Sequence, residues 1–150
     1  MQQEQGDAGI AYLMNGGLGH LTSAVRNAVF ARLETELAPL KLTSAQFVVV
    51  IGAMRGRART INEFCVFAGI DAGSMSRLLD RLEAKGIVRR VRADADRRVV
   101  QVELTGKGHA LSPQIMPAVG RVYQQFLAGF SEEEAVQLQS LVERMLANRH

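Results

Sequence analysis

Residues Asp71 to Gly86, read as DAGSMSRLLDRLEAKG, constrain this chain more than any other stretch. Met75, Leu78, Leu79 and Leu82 recur at i, i+3, i+4 and i+7, which aligns them along one face of an α-helix. Asp71 suits the start of that helix as a capping residue, and Gly86 suits its end in the left-handed conformation. Ser74, Ser76, Arg77 and Arg81 fall off the apolar stripe. A short, capped helix that turns small hydroxyls and guanidinium groups outward matches the major groove of DNA. A solvated surface helix has the same pattern, so the residues that follow must separate the two readings.

A basic hairpin comes next. Ile87 to Arg92 and Val99 to Leu104 flank the polar segment Ala93 to Arg98. Val100, Val102 and Leu104 alternate with Val99, Gln101 and Glu103, the period of a half-buried strand. From Arg77 to Arg98 there are eight basic side chains (Arg77, Arg81, Lys85, Arg89, Arg90, Arg92, Arg97, Arg98) and four acidic ones (Asp80, Glu83, Asp94, Asp96). That window carries +4 while the whole chain carries +3, so the remainder sums to −1. Basicity this local is the footprint of a phosphate-binding face.

These residues resemble the MarR family of winged-helix transcription regulators. The resemblance rests on Leu42-Thr-Ser-Ala-Gln-Phe47, on Thr60 to Asp71, and on LLDRLEAKGIVRR followed by Asp96-Arg97-Arg98 and Leu104-Thr-Gly-Lys-Gly108. It spans roughly residues 10 to 148. It implies a mainly α fold with a small β-hairpin wing, that is, a winged helix-turn-helix with long N- and C-terminal dimerisation helices. The DNA-binding part is expected at about 43–104, and the dimerisation helices at about 10–37 and 106–148.

Length and composition agree with a single domain over residues 1–150. An apolar content of 47% with only 5% aromatic residues predicts an aliphatic core. No apolar run is long enough for a membrane span. The N-terminus, Met1 to Asp7, is polar and acidic, unlike a signal peptide, and the one cysteine forbids an internal disulfide. The expected location is therefore the cytoplasm, with no membrane partner. Capping-box pairs Thr43/Gln46, Thr60/Glu63 and Ser131/Glu134 predict helices at about 44–55, 61–68 and 132–147. Thr105 can open one more, running to about 128. A long first helix spans about 10–37 and stops before Pro39.

The terminal helices carry apolar stripes: Leu13, Leu21, Val25, Ala28, Val29, Leu33 and Leu37 in the first, and Ala135, Leu138, Leu141, Val142, Met145 and Leu146 in the last. Their simplest partner is the same pair in a second copy. A two-fold homodimer would set two recognition helices one helical turn apart on double-stranded DNA, predicting a palindromic operator.

Ser74, Ser76 and Arg77 lie near the start of the recognition helix, where base edges or phosphates are reached, and Arg77 has the fork that pairs with guanine. Arg81, one turn on, is expected at phosphate. By resemblance, Arg98 enters the minor groove and Asp96 steadies its side chain, while Arg97 points the other way towards backbone. Nothing supports catalysis. His20, His109 and His150 show no metal-ligand spacing, and phosphate-loop or nucleophile motifs do not occur, so no metal, cofactor or enzyme activity is expected. The glycines of Asn15-Gly-Gly-Leu-Gly19 have no strand before them and read as a loosened face of the first helix.

Cys65 stands where the family usually has alanine, which implies packing; a redox-sensing repressor working through this thiol is the alternative. Another is a sequence-neutral architectural DNA binder. Family members often bind small aromatic acids, which implies an aromatic carboxylate as effector. His20, Ser23 and Asn27 (i, i+3, i+7) facing Gln46, Val50 and Met54 (i, i+4, i+8) are the candidate slot, with Arg57 or Arg59 to neutralise the carboxylate. Two features depart from the family pattern. Pro113 and Pro117 fall inside an expected helix, and Phe67 replaces a polar residue and is expected to be exposed or ligand-facing. The reading is a homodimeric repressor released from its operator by a small aromatic acid.

Overall fold

The structure is a computed structural model that describes residues 9–149, so the acidic Met1 to Asp7 segment and His150 lie outside it. Helix α1 runs Leu18–Leu37 and is preceded by a π-helical segment, Leu13–Gly17. There Asn15 (ψ 34°) and Gly16 (φ 85°) leave helical geometry, the loosening expected of Asn15 to Gly19. A 3-10 turn, Ala38–Leu40, holds Pro39 and ends at Lys41 in the left-handed region (φ 56°). Next come α2 (Ser44–Met54) and α3 (Ile61–Ala68), each opened by a complete capping box, Thr43/Gln46 and Thr60/Glu63.

Helix α4, Ala72–Ala84, is capped by Asp71 and closed by Gly86 at φ 72°. Met75, Leu78, Leu79 and Leu82 are its buried residues, as their spacing predicts. Strands β1 (Val88–Arg92) and β2 (Val100–Leu104) pair antiparallel, with Val88 opposite Leu104 and Arg92 opposite Val100. The sheet has an addition that alternation does not reveal. Thr60 bridges Gln101, and the Val102 amide donates to the Arg59 carbonyl at 2.7 Å. The α2–α3 link thereby lies along the free edge of β2 and covers some of its backbone groups.

One expected helix is two. The chain forms α5 (Gly106–Ala110), breaks at Leu111 and resumes as α6 (Ser112–Phe126). Pro113 is therefore not in a helix interior. It occupies the first turn of α6, where its missing N–H costs nothing and its fixed φ helps. Pro117 is the interior proline.

The core is aliphatic with a few aromatics. Fully buried Phe64, Leu79, Leu82, Val49 and Val50 lie among α2, α3 and α4, and Leu33 and Leu37 of α1 lie with Ile115 and Val122 of α6. Glu36 of α1 pairs with Arg121 of α6 at 3.0 Å. Such a surface pair contributes at most about 1 kcal/mol, so apolar burial holds α1 and α6 together. Helix α7, Glu132–Ala147, differs from the rest: it has no buried residue, and Leu138, Leu141, Val142, Met145 and Leu146 are all exposed. Among the described residues no single helix is long and apolar enough to cross a membrane.

Candidate nucleic-acid interface

The first turn of α4 is organised by Asp71. Its carboxylate accepts the Ser74 amide at 2.8 Å and the Ser74 hydroxyl at 2.7 Å. These two bonds hold the Asp71 carboxyl below the usual carboxylate range. Ser74 Oγ in turn accepts from Arg77 Nη2 at 3.3 Å. The Ser74 hydroxyl is thus occupied on both sides and orients Arg77. Ser76 is half-buried, whereas Arg77 and Arg81 are exposed.

The eight cations of the basic window divide into two groups. Arg89 pairs with Glu103 at 3.1 Å, and Arg90 with Asp80 at 2.8 Å and Glu83 at 2.6 Å. Lys85 Nζ donates to the Lys41 carbonyl and to Gln46 Oε1. Among the described residues, Arg77, Arg81, Arg92, Arg97 and Arg98 have no carboxylate within ion-pair distance. Two of these lie on the outer surface of α4 and three at or beside the hairpin tip. Sequence alone counts cations, and only the packing shows which are free.

The tip differs from expectation in one respect. Asp96 Oδ1 accepts the backbone amide of Arg98 at 2.9 Å, and no ion pair joins it to the Arg98 guanidinium among the described residues. Asp96 shapes the turn rather than holding the side chain. Val99 N donates back to the Asp96 carbonyl, and Arg92 Nη1 reaches the Arg97 carbonyl at 3.4 Å. Asp96, Arg97 and Arg98 are all exposed.

The slot expected from His20, Ser23, Asn27, Gln46, Val50 and Met54 is not assembled. His20, Ser23 and Asn27 are exposed on the part of α1 that precedes its buried residues. Gln46 is buried, and its Oε1 already accepts from the Thr43 amide and from Lys85. Val50 is a core residue with no exposed surface, and Met54 is half-buried. A cleft of about 1030 Å³ lies elsewhere, between the α2–α3 region and α7. Phe67, Val66 and Ile51 line it together with Arg55, Arg57 and Arg149. It thus brings together two residues singled out from sequence, Phe67 and Arg57; Arg59 is not in its lining. Phe67 is exposed, as expected, and its ring lies over Gly52, where an added Cβ would sit 2.9 Å from Cε1. Cys65 is half-buried against the core, the environment of a packing residue.

The sequence and fold have known relatives. The MarR family model matches residues 39–99. The multiple antibiotic resistance protein MarR of Escherichia coli strain K12 is 32% identical over 130 residues, covering 86% of this chain and 90% of that protein. A cysteine-to-serine mutant of MarR from E. coli, solved in complex with operator DNA, superposes with a TM-score of 0.76 at 31% identity, covering 90% of this chain and 97% of that one. A MarR-family transcriptional regulator from Silicibacter pomeroyi gives 0.78 at 26% identity, covering 93% and 95%.

Proposed function

This chain belongs to the MarR family of transcription regulators, and from that premise we propose that it is a homodimeric repressor that binds a palindromic operator through α4 and the wing. The observation that carries the reading is the division of the arginines. Among the described residues, five guanidinium groups without carboxylate partners stand on α4 and the hairpin tip, while Arg89 and Arg90 are consumed by Asp80, Glu83 and Glu103, and Lys85 by the Lys41 carbonyl and Gln46. Phosphate contacts made by such a surface supply affinity, and Arg77 at the start of α4 supplies base choice. Arg98 at the tip reaches the minor groove. A relative from E. coli solved in complex with operator DNA supports a DNA partner. The test is selection of duplexes from a random pool, followed by titration at fixed salt. A specific-to-nonspecific ratio of about 10³ or more is expected, whereas a ratio near one makes the protein a sequence-neutral binder.

Dimerisation rests on α7, whose exposed leucines need a cover that the described residues of this chain do not provide. Residues 10–37 and 106–148 form the dimer stem in this reading, and 43–104 the DNA-binding head. Removal of residues 131 onward is expected to leave a monomer that has lost operator affinity. A truncated chain that sediments as a dimer and still shifts DNA ends the stem assignment.

The effector in this reading is a small aromatic carboxylate, and the cleft beside Phe67 is its place. An aromatic wall with Arg55 and Arg57 at hand supplies both stacking surface and a counter-charge. Hydroxybenzoates are expected to raise Tm, since they bind the folded state, and to loosen DNA binding. Arg57→Ala and Phe67→Ser should blunt both effects, with His20→Ala unaffected. A response that vanishes only with His20→Ala moves the site to α1, and no response to any acid removes the effector class.

A further inference from the structure

Two carboxylates sit on the helix that reads DNA. Asp80 and Glu83 follow Ser76 at i+4 and i+7, so the three share one face of α4. That face turns towards β1, because a single β1 side chain, Arg90, touches all three. Its Nη2 lies 2.8 Å from Asp80 Oδ1 and donates to the Ser76 carbonyl at 3.2 Å. Its Nη1 lies 2.6 Å from Glu83 Oε2, and its backbone amide donates to Glu83 Oε1 at 3.1 Å. The Arg90 side chain is 23% exposed, against 63% for Asp80 and 41% for Glu83. The guanidinium therefore lies beneath the surface its two anions occupy, with most of its donors already used.

An uncompensated carboxylate between a recognition helix and a wing faces the phosphate strand that passes there, and like charges in such a place oppose binding. Lysine could not do what Arg90 does, since a point charge lacks the fork that serves two carboxylates and a carbonyl together. Resting on the DNA-binding reading above, we propose that Arg90 is a positioning residue for operator binding: it makes no phosphate contact, but neutralises and fixes Asp80 and Glu83, so that their charge opposes the DNA backbone less.

The test uses the full-length protein and a duplex selected against the parent. Arg90→Met is expected to weaken binding about ten-fold or more, with the far-ultraviolet circular dichroism of the parent. The triple variant Arg90→Met, Asp80→Asn, Glu83→Gln should recover most of that loss, because the charges needing neutralisation are gone. A triple variant as weak as Arg90→Met overturns the proposal and makes Arg90 a direct phosphate contact or a purely structural strut. An Arg90→Met protein that binds like the parent also overturns it. Should Arg90→Met fail to fold, the double variant Asp80→Asn, Glu83→Gln decides. Neutralisation predicts affinity equal to or tighter than the parent, and a marked loss defeats it. A parent that selects no duplex defeats the DNA-binding reading itself, an outcome distinct from all of these.

Discussion

Asp96 grips the backbone of Arg98 and leaves its guanidinium free: Oδ1 accepts the Arg98 amide at 2.9 Å. A side chain that caps an amide two residues on stabilises a turn and tolerates exchange for another residue with the same acceptor. Asp96→Asn should therefore bind DNA close to the parent, while Asp96→Ala should weaken binding several-fold by letting the tip wander. If instead Asn is as damaging as Ala, the negative charge matters and a direct Asp96–Arg98 pair must form on DNA.

Arg98 is exposed and contributes nothing to the core. Arg98→Ala should leave Tm unchanged and weaken operator binding by roughly 1–3 kcal/mol, the range for one lost specific contact. Equal Kd values for the two proteins at moderate salt would remove Arg98 from the interface.

Gly108 of α5 packs closely against Ile87 and Leu104. A Cβ there would overlap the Ile87 carbonyl oxygen, well inside van der Waals contact, and sit 3.0 Å from Leu104 Cδ2. Backbone cannot yield as a side-chain tip can, so Gly108→Ala should cost about 1–3 kcal/mol or more in overpacking. Gly106, with open space at the same point, serves as the control in thermal melts. Similar Tm changes at the two positions would refute the close-approach argument.

Acid should loosen α4 through its cap. The Asp71 carboxyl is depressed because it accepts the Ser74 amide and hydroxyl. A depressed carboxylate stabilises the fold above its unfolded pKa of about 3.9, and that contribution is lost as pH falls through the lower folded value. Asp71→Asn, which still caps, should match the parent near neutrality and show a shallower decline of Tm below about pH 4. Parallel declines for the two proteins would exclude Asp71 from the acid transition. Glu63, depressed by the Thr60 and Arg59 amides, titrates in the same direction and remains in both proteins.

The elements whose start is written in a local motif were legible from sequence. Thr43/Gln46, Thr60/Glu63 and Ser131/Glu134 place their helix starts, and the Met75 to Leu82 stripe gives the buried face of α4. The break at Leu111 was not, because one proline in a helical pattern reads either as an interruption or as a first turn, and packing chooses. The free arginines were not legible either. Arg89 and Arg90 look like Arg97 and Arg98 until β1 brings them against Glu103, Asp80 and Glu83. The slot between α1 and α2 failed for a related reason. Spacing put Gln46 on a plausible face, but its amide oxygen was already taken by its own cap and by Lys85, which lies 39 residues away in sequence.

Helix α7 has no fully buried residue, and its leucines face outward. Under the dimer reading, the head can settle within one chain, but α7 must wait for a meeting between two chains. Its completion is then second order in concentration: a cell making little of this protein holds chains with a bare apolar stripe, open to proteolysis, for longer. Abundance and survival become linked, so the regulator's own expression level sets how much of it persists in a form able to hold an operator.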